Sequence, residues 1–367
     1  MSFPIALPGP ALSPGDGVAS STDRGDALHC VREQGRNAML DVALIGLGSW
    51  GRTLVDAVQS NGEPLGEAIR VVAAATRSTP EAICAYAGKQ RLRLRSFDDI
   101  LADPAIPAIL IATPHSLHAA QIAAAANAGK HVFCDKPVTL TRTECDAASA
   151  ACARAGVVLA AGFNRRFLPA AQALRARLTA GTLGRVLHLE ANASSPAGFA
   201  FTPESWRVRD GESPAGAMGT IGIHMIDQMI WMNGPIAAIA CQAVRQALAV
   251  PVEDTTSMLL RFRNGTTGSL TTLAATARCW NLRVLGTQGW AQYRDLHRLE
   301  ATPIDGAASE EIFAPQPIER LELEAFARAC QGLAAYPIPL DEVANGVSAW
   351  EAIARSAAQN GAWCQVD

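Results

Sequence analysis

Leu40-Asp41-Val42-Ala43-Leu44-Ile45-Gly46-Leu47-Gly48-Ser49-Trp50-Gly51 decides how this chain is read. Leu40–Ile45 is a short apolar run with the character of a buried strand. Gly46–Gly51 spells G-x-G-x-x-G, and Trp50–Gln59 has the pattern of a helix. The hexapeptide alone is a weak signal, but between a strand and a helix it predicts a dinucleotide-binding turn. Gly46 permits the tight turn, Gly48 lets the backbone approach a pyrophosphate, and Gly51 allows close helix–strand packing. The helix N-terminus favours the phosphate charge. Leu47, Ser49 and Trp50 complete this candidate cofactor-binding segment; a plain glycine-rich turn is the bland alternative.

Outward from that turn, strands and helices alternate. Arg70–Ala75, Ala108–Ala112, His131–Cys134 and Val157–Ala160 read as strands. Leu117–Ala128 reads as an Ala-rich helix closed by Gly129. Thr141 and Glu144 form a capping box opening a helix that ends near Gly156. Such alternation implies a parallel, doubly wound α/β sheet, the Rossmann arrangement, over residues 39–161. After Gly162 the strands lengthen: Val186–Ala193, Ile236–Ala247, Thr255–Arg263, Thr267–Ala277 and Asn281–Leu285, with Asn264-Gly265 as a hairpin signal. Residues 162–367 are therefore expected to form an α+β domain with a mostly antiparallel sheet. It closes on helices Ile318–Gln331 and Glu342–Gln359, the last able to pack back on the first domain. Residues 1–38, rich in Pro and Gly without periodicity, read as a disordered extension, and Met39 stands directly before the first strand.

Composition narrows the function classes. The 367 residues suggest two domains, and 49% apolar against 18% charged residues excludes a disordered chain. Lys plus Arg number 31 and Asp plus Glu 34, so no basic excess supports nucleic-acid binding. No apolar run of about 18 residues predicts a membrane helix. The nine cysteines are scattered, odd in number and without C-x-x-C. That favours the reducing cytoplasm over a disulfide framework or a zinc cage.

Three further segments could carry chemistry. Thr76-Arg77-Ser78 ends the second strand where a NAD site usually has Asp or Glu. Arg77 with its flanking hydroxyls suits a 2′-phosphate, hence NADP before NAD, unless it is a solvated loop arginine. Asp135-Lys136-Pro137 follows a strand at its carboxyl end, where ligands sit in such folds. Lys136 there can donate to a substrate oxygen, the alternative being a surface turn. His224 and Asp227 share one face of the apolar helical stretch Ala217–Met232, as an acid–base pair or a satisfied buried histidine. Two ligands without a third make a poor metal site, and no metal is expected. His115 and His118 suit loop capping or cofactor contact.

In order and spacing these motifs resemble the glucose–fructose oxidoreductase/inositol dehydrogenase (Gfo/Idh/MocA) family from about Asp41 to the C-terminal helix. The resemblance rests on Gly46–Gly51, on Ala112-Thr113-Pro114 with His118, and on Gly129-Lys130-His131-Val132 leading into Asp135-Lys136-Pro137 in place of the usual Glu-Lys-Pro. It continues through Gly162-Phe163-Asn164-Arg165-Arg166-Phe167, Ser205-Trp206-Arg207, Gly222/His224/Asp227, Glu253-Asp254 and Asn264-Gly265. The resemblance implies NAD(P)-dependent hydride transfer to or from a sugar, polyol or related alcohol, with the open sheet of residues 162–367 serving substrate binding and oligomerisation. Lys136 would be the catalytic lysine and His224 the acid–base histidine. Ala112, Thr113, Pro114, His118, Asp135, Lys136 and Arg166 would belong to the cofactor site, and the protein would be a homodimer or homotetramer joined through C-terminal sheets. Many members carry Asp four residues before the histidine; here it is Thr220, with Asp227 the available substitute. The competing expectations are a lyase or hydrolase that oxidises transiently with bound NAD, and a non-catalytic NADP(H) sensor. Leu270, Leu273 and Ala274, among threonines and alanines, suggest a weakly polar sheet face covered by self-association.

Overall fold

The computed structural model describes residues 39–367 apart from Asp210 and Ala217. The expectations for residues 1–38 lie outside the described residues. Largely apolar runs form a six-stranded parallel sheet, as expected where the central strands are buried on both faces. In chain order these strands are β1 (Leu40–Ile45), β2 (Ile69–Ala75), β3 (Arg93–Leu94), β4 (Ala108–Ile111), β5 (His131–Asp135) and β6 (Leu159–Gly162). Their spatial order, β3-β2-β1-β4-β5-β6, reverses at β1, so a crevice opens at the carboxyl ends of β1 and β4. Helix α1 (Ser49–Val58) follows β1, α2 (His118–Asn127) joins β4 to β5, and α3 (Arg142–Ala155) joins β5 to β6. The capping box of Thr141 and Glu144 is present at α3.

Strand β6 begins two residues later than the apolar run suggests. Gly156 is left-handed (φ +67°), and the Val157 N–H returns to the Cys152 carbonyl, so helix closure consumes Val157.

A helix not read from the sequence, α4 (Pro169–Thr179), leads into the second sheet, and α5 (Met218–Asn233) covers that sheet's inner face. The strands are β7 (Val186–Ser194), β8 (Ile236–Val244), β9 (Thr255–Phe262), β10 (Thr267–Leu273), β11 (Cys279–Gly286), β12 (Gly289–Arg294), β13 (Arg298–Pro303), β14 (Ser309–Ile312) and β15 (Cys364–Gln365). Their order is β14-β13-β12-β11-β7-β10-β9-β8-β15, antiparallel except for β7 beside β10. Asn264-Gly265 turns β9 into β10 in antiparallel register, Gly265 taking φ +87°. Strand β8 stops at Val244 rather than Ala247 because the Asp254 carboxylate accepts the N–H groups of Gln246, Ala247 and Leu248. Strand β10 ends at Leu273 rather than Ala277, the Ala274 N–H making a last bond in the same register to the Asp254 carbonyl.

The expected self-associating face is corrected in part. Leu270 and Ala274 are buried, Leu270 in the core beneath Met225 and Met229 of α5. Leu273 alone of the three lies on the opposite, open face, with Ser257, Arg261 and the 55% exposed Leu259.

Two C-terminal helices, α6 (Ile318–Cys330) and α7 (Leu340–Ala358), return to the first sheet. Leu323 and Phe326 of α6 pack among Leu54, Val55 and Phe133, and Val347 and Trp350 of α7 join the core of Cys145 and Ala148. The segment Asn164–Phe167 is pinned at the junction. Arg166 donates through Nε and Nη2 to the Asp227 carboxylate of α5 and through Nη1 to Glu342 of α7. Arg166 and Asp227 are 4% and 3% exposed, so each neutralises a charge the interior could not hold alone. Arg166, expected at the cofactor site, and Asp227, expected beside His224, are paired with each other. Removing one partner of such a pair costs about 3–5 kcal/mol. Arg166→Met should therefore lower unfolding free energy by about that amount in urea titrations. Unchanged stability would show that the pair does not hold the junction.

Candidate active site

The β1–α1 turn separates two kinds of glycine. Gly46 has φ +102°, and a Cβ there would stand 2.5 Å from the Ala112 carbonyl oxygen; at Gly51 it would stand 2.0 Å from the Gly46 carbonyl oxygen. Both glycines are required by the turn itself. Gly48 is extended (φ −76°, ψ −166°), and a Cβ there would meet nothing within 4 Å. As the N-cap of α1 it offers no side-chain hydrogen bond, so first-turn N–H groups remain for an outside acceptor. Leu47 is buried beneath the turn, Ser49 is exposed and Trp50 is half-buried. This open cradle at an uncapped helix start fits a dinucleotide pyrophosphate.

Around it, Arg77 and Ser78 are exposed at the end of β2, and the Thr76 hydroxyl donates to the Ser78 carbonyl at 3.3 Å. Beyond β4, the Ala112 N–H donates to the Ile45 carbonyl, tying that loop to the glycine turn. The Thr113 hydroxyl donates to Gln121 at 2.6 Å, and Pro114 leads into the turn bearing His115. Of the two expectations for His118, loop capping and cofactor contact, its hydrogen bonds fit the first. It is fully buried, with its ring nitrogens 2.8 Å from the Pro137 carbonyl and 3.0 Å from the Thr113 carbonyl. It braces two loops and presents no free polar atom to a ligand.

Lys136 and His224 come together. Lys136, buried at the end of β5, donates through Nζ to the carbonyls of Thr220 at 3.0 Å and Gly219 at 3.3 Å. His224 lies one turn further along α5, its ring edge-on to Phe163 at 6.1 Å and its buried Nδ1 without a hydrogen-bond partner. Thr220 thus enters through its main-chain carbonyl, where the sequence drew attention to its side chain.

Burial governs the charges. It pushes the Lys136 ammonium down to about 8, with Asp135 opposing and Arg207 and Arg165 assisting. Burial, then Lys136 and Arg165, hold His224 well below the usual histidine range, so its imidazole is neutral at pH 7. Burial also raises the carboxyl of Asp135, with Lys136 opposing, and that of Glu322 strongly, with Asp135 adding repulsion.

Three neighbours, Arg165, Arg207 and Glu212, were not singled out as site residues. Arg165 and Arg207 stand in the N-R-R-F and S-W-R motifs, which were the available signal. His115 Nδ1 lies 3.0 Å from the Glu212 carbonyl, and its ring meets Trp206 edge-on at 4.7 Å. Nothing local marks Glu212, whose partner is 97 residues away. A cavity of about 310 Å³ reaches Arg165, with Asp295, His297, Gln316 and Glu319 also in its wall. Among the described residues no cluster of His, Cys, Asp or Glu could hold a metal, and no helix is long and apolar enough to cross a membrane.

Comparison with known families agrees with this geometry. Residues 40–163 match the oxidoreductase family with an NAD-binding Rossmann fold, and residues 171–292 match the GFO/IDH/MocA C-terminal domain. The chain belongs to the Gfo/Idh/MocA family. It is similar to levoglucosan dehydrogenase of Pseudarthrobacter phenanthrenivorans, 31% identical over 199 residues, covering 47% of this chain and 50% of that protein. It is also similar to D-xylose 1-dehydrogenase (NADP(+)) 2 of Haloferax volcanii, 29% identical over 245 residues, covering 64% and 73%. The match therefore spans half the length of the first relative. In fold, a levoglucosan dehydrogenase structure in complex with NADH and L-sorbose superposes with a TM-score of 0.78 at 23% identity, covering 90% of this chain and 99% of that one.

Because Gly48 has open space and an ordinary backbone conformation, Gly48→Val should fold with an unchanged melting temperature. Its affinity for NADPH and NADH should fall by about tenfold or more, as the side chain fills the cradle. Titration of nucleotide fluorescence against the folded variant checks this, and undiminished affinity would move the cofactor elsewhere.

Proposed function

We propose that this chain is an NAD(P)-dependent oxidoreductase that interconverts CH–OH and C=O on a sugar, polyol or related alcohol. The observation carrying this reading is the convergence of Lys136 and His224 from separate elements, with Lys136 held on the carbonyls one turn before the histidine. The names of the relatives support the same substrate classes.

Residues Gly46–Gly51 would hold the pyrophosphate and Thr76-Arg77-Ser78 the adenosine ribose. A bound nicotinamide dinucleotide supplies the hydride acceptor or donor. Neutral His224 can take the hydroxyl proton as an alcohol is oxidised. Protonated Lys136 donates a hydrogen bond to the same oxygen and stabilises its developing negative charge. Asp135 offsets the cost of keeping Lys136 charged. The Gly219 and Thr220 carbonyls orient the ammonium in place of the carboxylate that many members supply, and this supports turnover despite Thr220.

With the physiological alcohol, Lys136→Ala and His224→Ala should each lower kcat by about 10²–10⁴ while leaving NADPH affinity nearly intact. Near-normal turnover in both would sink the assignment, and tight NADPH binding without turnover of any polyol or sugar would favour a sensor. For oxidation, kcat/KM should fall as pH rises through about 8, where Lys136 loses the proton it donates. A profile rising through that range would instead make Lys136 the proton acceptor.

We also infer a preference for NADP(H), on Arg77 and the missing acid beside it. One charge-assisted contact is worth about 1.5–3 kcal/mol, so Arg77→Ala should weaken NADPH roughly tenfold to a hundredfold more than NADH in parallel titrations. Equal losses would refute the preference. The open face bearing Leu259 and Leu273 supports self-association as a homodimer or homotetramer. Light scattering should show more than one copy at micromolar concentration, and a strict monomer would argue against it.

A further inference from the structure

The site holds more positive charge than its own groups balance. Arg165 and Arg207 make no ion pair and no side-chain hydrogen bond among the described residues, and the Nε atom of each is buried without a partner. Each guanidinium is stacked rather than paired, Arg165 over Trp280 at 5.5 Å and Arg207 over Trp206 at 4.3 Å from the ring centroids. Stacking holds the planar groups in place and leaves their N–H forks free. Other arginines of the same interior behave differently: Arg166, next in sequence, has two carboxylates.

Arg165 is aimed by its surroundings. Its carbonyl accepts from Gln228 Nε2 at 2.9 Å, and Gln228 also accepts from the Tyr293 hydroxyl, which in turn accepts from Trp280 Nε1. Adjacent residues of α5, Asp227 and Gln228, thus grip adjacent residues of the loop, Arg166 and Arg165. One arginine is tied into the junction and the other is left for the site. Glu319, whose field reaches Arg165, already accepts from Asn164 Nδ2 at 2.9 Å. The contacts place both cations beside Lys136 and His224: Trp206, under Arg207, meets the His115 ring at 4.7 Å, His115 stands 5.8 Å from His118 on the Pro137 carbonyl next to Lys136, and Phe163, two residues before Arg165, meets the His224 ring at 6.1 Å. The opposing carboxylates are Asp135, which acts on Lys136 and Arg207, and Glu319, which acts on Arg165; Glu322 is pushed towards its neutral form, so three cations face two anions. Burying unpaired cations is costly, and a site that keeps them is organised for an anion that arrives with the ligand.

Resting on the dehydrogenase reading above, we infer that the substrate is an acidic sugar or polyol, whose anionic oxyacid group is bound by the guanidinium forks of Arg165 and Arg207. The pyrophosphate is served separately, by the open cradle at Gly48 and the start of α1.

Calorimetric binding to the NADPH-loaded enzyme tests this with D-glucose, D-glucuronate and D-glucose 6-phosphate, independently of turnover. One anionic sugar should bind roughly tenfold to a hundredfold more tightly than glucose, and which one does so distinguishes a carboxylate from a phosphate. That ratio should collapse towards one in Arg165→Gln, and in Arg207→Gln should the first variant fail to fold; Arg165→Lys should restore part of it. Equal binding of neutral and anionic sugars overturns the inference. So does a variant that weakens NADPH while keeping the ratio, since Arg165 would then serve the cofactor. Anion-selective binding without hydride transfer would keep this inference and discard the dehydrogenase reading; turnover of glucose in preference to both acids would do the reverse.

Discussion

Two missing side chains on α5 allow everything around the site to assemble. A Cβ at Gly219 would stand 2.3 Å from the Trp350 ring of α7, and one at Gly222 would stand 2.6 Å from the Thr272 hydroxyl of β10. Glycine at both positions lets the helix press against α7 on one side and the second sheet on the other. That approach brings the Gly219 and Thr220 carbonyls to Lys136, and it brings Asp227 and Gln228 to the loop after β6. A bulkier helix would stand off from its neighbours and separate these contacts together, because close-packed interiors accommodate extra methyl groups poorly.

Burial then sets the chemistry. The same exclusion of water that lowers Lys136 to about 8 keeps His224 neutral and moves the carboxyls of Asp135 and Glu322 upward. Each shift favours the less charged form, as desolvation must. Arg165 and Arg207 cannot follow by losing a proton near neutral pH, so they remain cations held on tryptophan faces. A neutral imidazole, an ammonium lowered to about 8 and two guanidiniums without an ion pair among the described residues are consequences of one desolvated junction.

Much of the first sheet was legible because it depends on local signals. Apolar runs, the glycine turn and the Thr141–Glu144 cap are contiguous features, and the elements they announce are present. Errors fell at element ends, where distant groups intervene. Asp254 draws three amides out of the extension of β8, and closure of α3 removes Val157 from β6. The helix Pro169–Thr179 escaped notice because Ala and Arg dominate it and its apolar periodicity is weak.

At the site, the sequence by itself determined the glycine cradle, the position of Lys136 at a strand end and the helix bearing His224, since each rests on residues within a few positions of one another. Tertiary structure alone decided the partners. Two neighbouring arginines, Arg165 and Arg166, are indistinguishable as letters; Arg166 finds Asp227 and Glu342, and Arg165 finds no carboxylate within ion-pair reach among the described residues. Asp227 sits three residues from His224 in the chain but takes Arg166 as its partner. For His118 the sequence left loop capping and cofactor contact open, and the Pro137 and Thr113 carbonyls close on both its nitrogens. Spacing along a helix says which face a side chain shares, but burial and the arrival of remote segments decide which charge is paired, because ion pairing in the interior depends on distances of a few ångströms between atoms that the chain separates by tens to hundreds of residues.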